Sequence, residues 1–235
     1  MSDPTLPTAP SPGAAFSWAW RCFRSNAGPF VALAAVVTIL QFLQLIASQP
    51  LQNVTVDCLD PQTSGQQQAC QESLGGVVAP VLLGLLFWAI SLLATVGVQR
   101  AALRATLGGT PSFADMLTTR YLLRYVLFTL VYVVLVVVGM VMCIVPGLLI
   151  LFFLQLGPYA VLDTGAGVRE AIRRSTIAMR ANPGPGLLLL LVNVAAVLLG
   201  STFYGLPTLV TLPLATLFTA HLYRQFNREQ VADVR

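Results

Sequence analysis

Two stretches of this chain carry no charged side chain: Tyr125 to Val161, 37 residues, and Leu187 to Ala220, 34 residues. The hydrocarbon of a bilayer is about 30 Å thick and is crossed by roughly 20 apolar residues in a helix. As one helix the longer run would reach about 55 Å at 1.5 Å per residue, too far for one crossing. Each run also has a breaker near its middle, Val145-Pro146-Gly147 in the first and Gly205-Leu206-Pro207 in the second, and proline with glycine interrupts a helix. Each therefore reads as two antiparallel spans joined by a tight turn. With the apolar segments Phe30 to Ala47 and Val77 to Val98, the expected fold is all-α and membrane-integral. Six spans are expected at about 30–47, 77–98, 125–144, 147–162, 187–203 and 207–222.

Composition excludes a soluble domain: 9% of residues are charged, 56% are hydrophobic and the mean hydropathy is +0.78, whereas soluble domains carry about a quarter charged residues. All 13 basic residues are arginine. They fall before the first span (Arg21, Arg24), between the second and third (Arg100, Arg104, Arg120, Arg124), between the fourth and fifth (Arg169, Arg173, Arg174, Arg180), and after the sixth (Arg224, Arg228, Arg235). Arginine marks the cytoplasmic side, so both termini are expected in the cytoplasm of a multi-pass protein of the cell membrane. Clusters beside apolar spans fit orientation in a bilayer better than binding to nucleic acid. Arginine, an apolar stretch and Ala47-Ser48 also resemble a cleaved leader, but Gln41 and Gln44 interrupt the stretch. The organisation expected is a disordered proline-rich tail over 1–13, one membrane domain over 14–224 with an outer loop at 48–76, and a cytoplasmic tail over 225–235.

A short phrase occurs twice. RSNAGPF at Arg24 to Phe30 and RANPGPG at Arg180 to Gly186 share arginine, asparagine, glycine and proline at an offset of 156 residues. Amphipathic segments precede both. Ser11-Pro12 predicts a capped helix start followed by Phe16, Trp20 and Phe23 as its apolar stripe; Val168, Ile172, Ser175 and Met179 form the second stripe, with Glu170 and Arg174 spaced to pair. A weaker middle copy has Ser112 and Asp115 as a capping box. The pattern predicts three units, each an interfacial amphipathic helix, a bend and a transmembrane hairpin.

The positions Pro146-Gly147, Pro158-Tyr159-Ala160-Val161, Ala171 with Ser175, and Pro213 with Tyr223 resemble a large bacterial group of six-helix membrane proteins. That group includes the membrane domain attached to some glycerophosphoryl diester phosphodiesterases, and the likeness covers roughly Phe16 to Arg224. In those relatives the phosphodiester chemistry belongs to a separate soluble domain, for which this chain, ending at Arg235, is expected to have no room. The resemblance implies the fold and not the activity.

The residues themselves offer little chemistry. Nine Asp and Glu and one histidine are scattered over both expected sides, so no metal cage or other cofactor site is predicted. His221 has no nucleophile to pair with, and no catalytic residue is assigned. Cys58 and Cys70 in the outer loop are candidates for a disulfide. Arg21, Arg24, Arg173, Arg174 and Arg180 are candidate contacts to anionic lipid headgroups. Gln155 and Asn193 are the candidates for a polar path within the membrane. Thr208, Thr211, Ala215 and Thr219 line one face of the last helix, the small-residue pattern of close packing. The expectation is a non-enzymatic membrane protein that binds a membrane or cytoplasmic protein partner or organises lipid. Transport of a lipid-like or apolar solute is the alternative, and an enzyme acting on lipid headgroups the third reading.

Overall fold

The computed structural model describes residues 10–59, 64–112, 118–202 and 205–233, without the side chains of 47–80. The described residues form helices and connections with no strand: α1 (Pro12–Ser25), α2 (Ala27–Leu59), α3 (Ser64–Thr106), α4 (Leu122–Met142), α5 (Ile144–Leu154), α6 (Gly157–Thr164), α7 (Val168–Ala181), α8 (Pro183–Gly200) and α9 (Thr208–Phe226). Five segments are long and apolar enough to cross a membrane: Ala27–Ile46, Val81–Thr106, Leu122–Met142, Ile144–Thr164 and Pro183–Gly200. Unlike these, α9 lies inside the bundle, packed against α1, α2, α3 and α8, with Ala215 to Arg224 buried without interruption. A helix enclosed by protein needs no lipid-compatible surface, and its threonines bond inward: Thr208 Oγ1 donates to Gly200 O at 3.0 Å and Thr219 Oγ1 to Ala215 O at 2.7 Å.

Several expected boundaries move. The expected outer loop, Ser48 to Gly76, is helical to Leu59 and again from Ser64. Hydropathy marks where hydrocarbon ends, but a helix once nucleated continues into water at little cost. At 33 and 43 residues, α2 and α3 measure about 50 and 65 Å. The expected turn at Val145-Pro146-Gly147 lies earlier: Cys143 alone is extended between α4 and α5, and Pro146 sits in the first turn of α5, where its missing N–H has no helical partner to lose. A Cβ on Gly139 would lie 3.0 Å from both the Cα and the N of Gly147, so the two main chains touch where these helices meet. The expected fourth span, 147–162, is not continuous. It breaks at Gln155-Leu156, because Pro158 lacks an N–H and its ring opposes the carbonyl of Leu154. The middle capping box is only partly covered, since Asp115 lies outside the described residues; Ser112 and the residues on the far side, Thr118 and Thr119, are not helical.

The repeated phrase forms two similar joints. Asn26 is the single residue between α1 and α2, and Asn182 the single residue between α7 and α8. Asn26 N–H donates to Cys22 O at 3.1 Å and Asn182 N–H to Met179 O at 3.3 Å; each side-chain amide donates to the carbonyl four residues back, Cys22 O at 3.3 Å and Ala178 O at 3.0 Å. Each asparagine carbonyl accepts the first main-chain bond of the next helix, from Phe30 N at 3.2 Å and Gly186 N at 2.9 Å. Burial keeps the 156-residue offset: Ala15 and Ala171, Ala19 and Ser175, Phe23 and Met179, Phe30 and Gly186, Leu33 and Leu189 are all buried.

Helix α1 starts as expected, with Ser11 Oγ accepting from Ala14 N and Pro12 at the first helical position. The expected apolar stripe divides: Phe23 faces the bundle with Ala15, Trp18, Ala19 and Cys22, while Phe16 and Trp20 are 50% and 42% exposed. Trp18 wins because its ring lies 5.0 Å from His221 on α9 and its Nε1–H reaches Ala232 O at 2.9 Å. In α7 the expected stripe holds: Ser175 and Met179 are buried, Val168 and Ile172 partly so, joined by buried Ala171.

One end of the bundle gathers segments distant in sequence. Ser11 N bonds Gln225 Oε1 at 3.0 Å, Ala232 N bonds Thr106 O at 2.9 Å, and the Arg124 guanidinium reaches Gly165 O. Here Arg224 holds Asp163 in a bidentate pair, at 2.7 and 3.0 Å, with Glu229 on the same guanidinium and Thr106 Oγ1 3.2 Å from Nε.

Candidate functional site

The interrupted helix α5–α6 needs partners for the main-chain groups its break sets free, since membrane interiors hold no water to satisfy them. Ser175 of α7 supplies both: its Oγ donates to Phe153 O at 2.6 Å and accepts from Leu156 N at 3.2 Å. Gln155 projects from the break and donates through Nε2 to Gly186 O at 3.1 Å, at the first turn of α8. A carbonyl can only accept, so this bond fixes the amide orientation. Gln155 Oε1 is then turned away, buried and without a hydrogen-bond partner.

Beside Gln155 opens a cavity of about 770 Å³ between α2, α8, α9 and the α5–α6 break. Asn193 lines the same cavity and is tied to Leu189 O at 3.0 Å and Thr219 Oγ1 at 3.3 Å. The structure thus brings the two candidate polar-path residues, 38 positions apart, to one space. Tyr159, whose hydroxyl is 3.5 Å from Thr216 O, closes part of the wall. Thr211 and Gln99 also belong to the lining, the Thr211 hydroxyl oxygen itself being buried without a hydrogen-bond partner. Among the described residues the lining contains no charged side chain.

The cavity is also bordered by α2 and α8. Phe42 and Leu45 on α2 and Val194, Val197 and Leu198 on α8 are apolar and exposed, Val197 to 70%. The lining residues of these helices keep the 156-residue offset: Thr38 matches Val194, Gln41 matches Val197, Phe42 matches Leu198 and Leu45 matches Ser201. At corresponding positions the polarity differs in both directions: Thr38 and Gln41 match Val194 and Val197, whereas Leu45 matches Ser201. Sequence alone marked Gln155 and Asn193 as polar residues within apolar runs and Thr211 as part of a small-residue helix face, but Gln99 gave no signal, because nothing in the pattern shows which amides lie against the cavity.

The candidate lipid-facing arginines divide by environment. Arg21 and Arg24 are exposed on α1, on the side of the exposed Trp20. Arg173 and Arg174 share Glu170, each with a 2.8 Å nitrogen–oxygen contact, and Arg180 lies over the Phe153 ring at 5.7 Å. The two guanidiniums hold the Glu170 carboxyl down to about 2, chiefly through the hydrogen bond from Arg173. The Arg224–Asp163 pair was not foreseen, since its partners are 61 positions apart and neither stands within an apolar run. His221 is a buried packing residue against Trp18. The side chains of Cys58 and Cys70 lie outside the described residues. Cys22 is buried and Cys143 exposed, both as free thiols. No three of the described His, Cys, Asp and Glu residues are grouped to hold a metal ion.

No family model matches the chain, and no solved structure matches it. Among known proteins it is similar to uncharacterized protein Mb2590 of Mycobacterium bovis and uncharacterized protein MT2637 of Mycobacterium tuberculosis, each 26% identical over 95% of this chain and 70% of the relative. Uncharacterized protein Rv2560, from another strain of Mycobacterium tuberculosis, is 25% identical over the same shares. The similarity therefore runs through nearly the whole helical assembly and is not confined to one apolar segment.

Proposed function

We propose that the chain is a six-span protein of the cell membrane, with both termini in the cytoplasm, that takes a lipid-like molecule sideways from the bilayer into its cavity without covalent chemistry. The observation that carries this is the cavity itself, lined by Gln155, Asn193 and several threonines together with exposed apolar residues. An apolar pocket with a few convergent polar groups is the ordinary form of a small-molecule site, and a mouth of phenylalanine, leucine and valine suits entry from acyl chains rather than water. Whether the molecule is held or passed on distinguishes a lipid-organising protein from a transporter, and the same cavity serves both.

The sixth span is supported by the meeting of chain ends. Trp18 and Ala232 bond to each other, as do Ser11 and Gln225, so the segment before the first span and the segment after α9 lie together. An even number of crossings brings them to one side, and counting α9 as a span makes six. The Arg124–Gly165 and Arg224–Asp163 contacts add further arginine-bearing connections to that side, in agreement with arginine marking the cytoplasm. Arg21, Arg24, Arg173, Arg174 and Arg180 would then face anionic headgroups. The matched joints at Asn26 and Asn182 support descent of the α1–α2 and α7–α8 units from one repeat. Kinship with the membrane domain attached to glycerophosphoryl diester phosphodiesterases belongs to the same proposal and rests on the motifs that suggested it. A protein partner is favoured by one observation, the exposed Phe16 and Trp20 on α1, which could meet another polypeptide as well as acyl chains.

The test places a photocrosslinking residue at Leu212, a partly buried position on the cavity wall, and another at Leu188, exposed on α8. In native membranes Leu188 reports surrounding lipid. A lipid adduct at position 212 that survives delipidation in detergent is expected. Adducts there to protein alone would remove the proposal.

A further inference from the structure

The depth of the cavity along its helices points to the leaflet that supplies its occupant, an inference that rests on the lateral site and the topology just proposed. Four helix ends stand on the arginine-bearing side: α2 and α8 start there at Ala27 and Pro183, and α3 and α9 finish there at Thr106 and Phe226. The lining comes nearest to that side at Leu190, Gln99 and Thr219, each seven residues from its own helix end, about 10 Å at the helical rise. At the other extreme Leu45, Ser201 and Thr208 each lie eighteen residues from Ala27, Pro183 and Phe226, about 27 Å. The cavity therefore runs through about 17 Å, little more than the roughly 15 Å of hydrocarbon in one leaflet.

Exposure divides along the same axis. Among the described residues every exposed member of the lining, from Val194 on α8 to Leu45 on α2, lies eleven or more residues from the arginine-bearing end. That is about 16 Å or more, past the midplane of a layer about 30 Å thick. Nearer the arginines the bundle is filled. Phe30, Leu33, Ala101, Ala102, Leu189 and Leu222 are each 0% exposed and lie within seven residues of the same helix ends. Beyond them the Trp18 ring rests against His221 and Arg224 grips Asp163. An interior packed to this density has no room for an acyl chain.

The two leaflets thus have unequal access to Gln155 and Asn193. These stand nine and ten residues from Thr164 and Pro183, about 14 and 15 Å from the arginine-bearing end. A lipid of the near leaflet would have to pass through buried side chains to reach them. One from the far leaflet enters past Phe42 and Val197, whose exposed apolar surfaces lie at its own depth.

We infer that the cavity takes its lipid from the leaflet remote from the arginines, the outer leaflet of the cell membrane, and that the arginine-bearing end is its closed floor.

The test uses the full chain in vesicles made from the total lipid of the host cells, with cyclodextrin exchange placing the same extract from a deuterated culture in the external leaflet alone. Vesicles in which a C-terminal tag is sheltered are kept, so that the external leaflet is the one remote from Arg224. A photocrosslinking residue is placed at Leu212 and, as a second cavity position, at Leu151. Leu188 and Leu199, both exposed on α8 near its two ends, calibrate the near and far leaflets, and the mass of each adduct reports its origin. The ratio of deuterated to unlabelled lipid at the cavity positions is expected to match that at Leu199 and to exceed that at Leu188 severalfold. Cavity ratios equal to that at Leu188, or midway between the two, would overturn the leaflet assignment and leave the lateral site standing. Absence of lipid adducts at both cavity positions would overturn the lateral site as well. Deuterated lipid at Leu188 with unlabelled lipid at Leu199 would overturn the topology on which the assignment rests.

Discussion

Replacing Ser175 by alanine removes one oxygen atom and nothing else from the packing of α7. That oxygen satisfies two main-chain groups at the α5–α6 break, Phe153 O at 2.6 Å and Leu156 N at 3.2 Å. An ordinary interhelical side-chain bond in a membrane contributes about 0.6 kcal/mol, because the unfolded chain in lipid finds other partners. A buried main-chain group left unmatched costs about 1–3 kcal/mol, and Pro158 prevents the segment from closing into a regular helix that would recover the bonds. The expected loss for Ser175→Ala is therefore about 2–4 kcal/mol, taking partial relaxation into account. For a chain of this size each kcal/mol corresponds to roughly 2–4 °C, so thermal unfolding in mild detergent should begin roughly 5–15 °C lower. Ser175→Thr keeps the hydroxyl and should recover part of the loss. A melting temperature for Ser175→Ala within about 1 °C of the parent would refute the claim that this hydroxyl supports the break.

Other expectations follow from the same contacts. Arg224→Met leaves Asp163 half-buried, its side chain 17% exposed, with the Tyr223 hydroxyl at 3.3 Å; a loss of about 2–4 kcal/mol is expected, below that of a fully buried pair, read by thermal or SDS unfolding, and Asp163→Asn should lose less. Gly165 has φ +68, and a Cβ there would stand 2.5 Å from the Tyr121 ring, so Gly165→Ala should cost about 2–4 kcal/mol from strain and overlap together; a melting curve identical to the parent would contradict the turn. Glu170 is paired by Arg173 and Arg174 with its carboxyl near 2. Its contribution is full above the unfolded carboxyl range of about 4.3 and lost as pH falls through about 2. A carboxyl carbon NMR titration should thus show it ionised throughout pH 4–7, and a midpoint near 4.3 would mean the pairs do not form. In a chain with Cys58 and Cys70 replaced by serine, an impermeant maleimide applied outside intact cells should label exposed Cys143 and spare buried Cys22; labelling of Cys22 instead would invert the proposed topology.

The sequence was legible where composition and geometry coincide. Uncharged runs place the apolar helices, Ser11-Pro12 caps α1 as expected, and the periodicity of Val168, Ile172, Ser175 and Met179 orients α7. It misled where one property stood proxy for another. Hydropathy ended α2 at the hydrocarbon boundary although the helix continues to Leu59, and helical spacing grouped Phe16 and Trp20 with Phe23 although the buried face of α1 holds Trp18 beside Phe23. Of the cavity, Gln155 and Asn193 could be marked as polar residues in apolar surroundings. Their proximity, the place of Gln99 in the lining, and the Arg224–Asp163 pair depend on contacts between distant segments, which no local pattern records.

The joints at Asn26 and Asn182 bear on how such a cavity arises. If two copies of one helix pair each supply one side, an ancestral assembly of separate copies would have had a mouth with equivalent walls, and any polar change would have appeared on both. Joining the copies in one chain releases that constraint, so each wall can drift alone. Thr38 and Gln41 against Val194 and Val197, and Leu45 against Ser201, are then the record of a broken symmetry: a mouth built twice from one template, whose walls afterwards diverged.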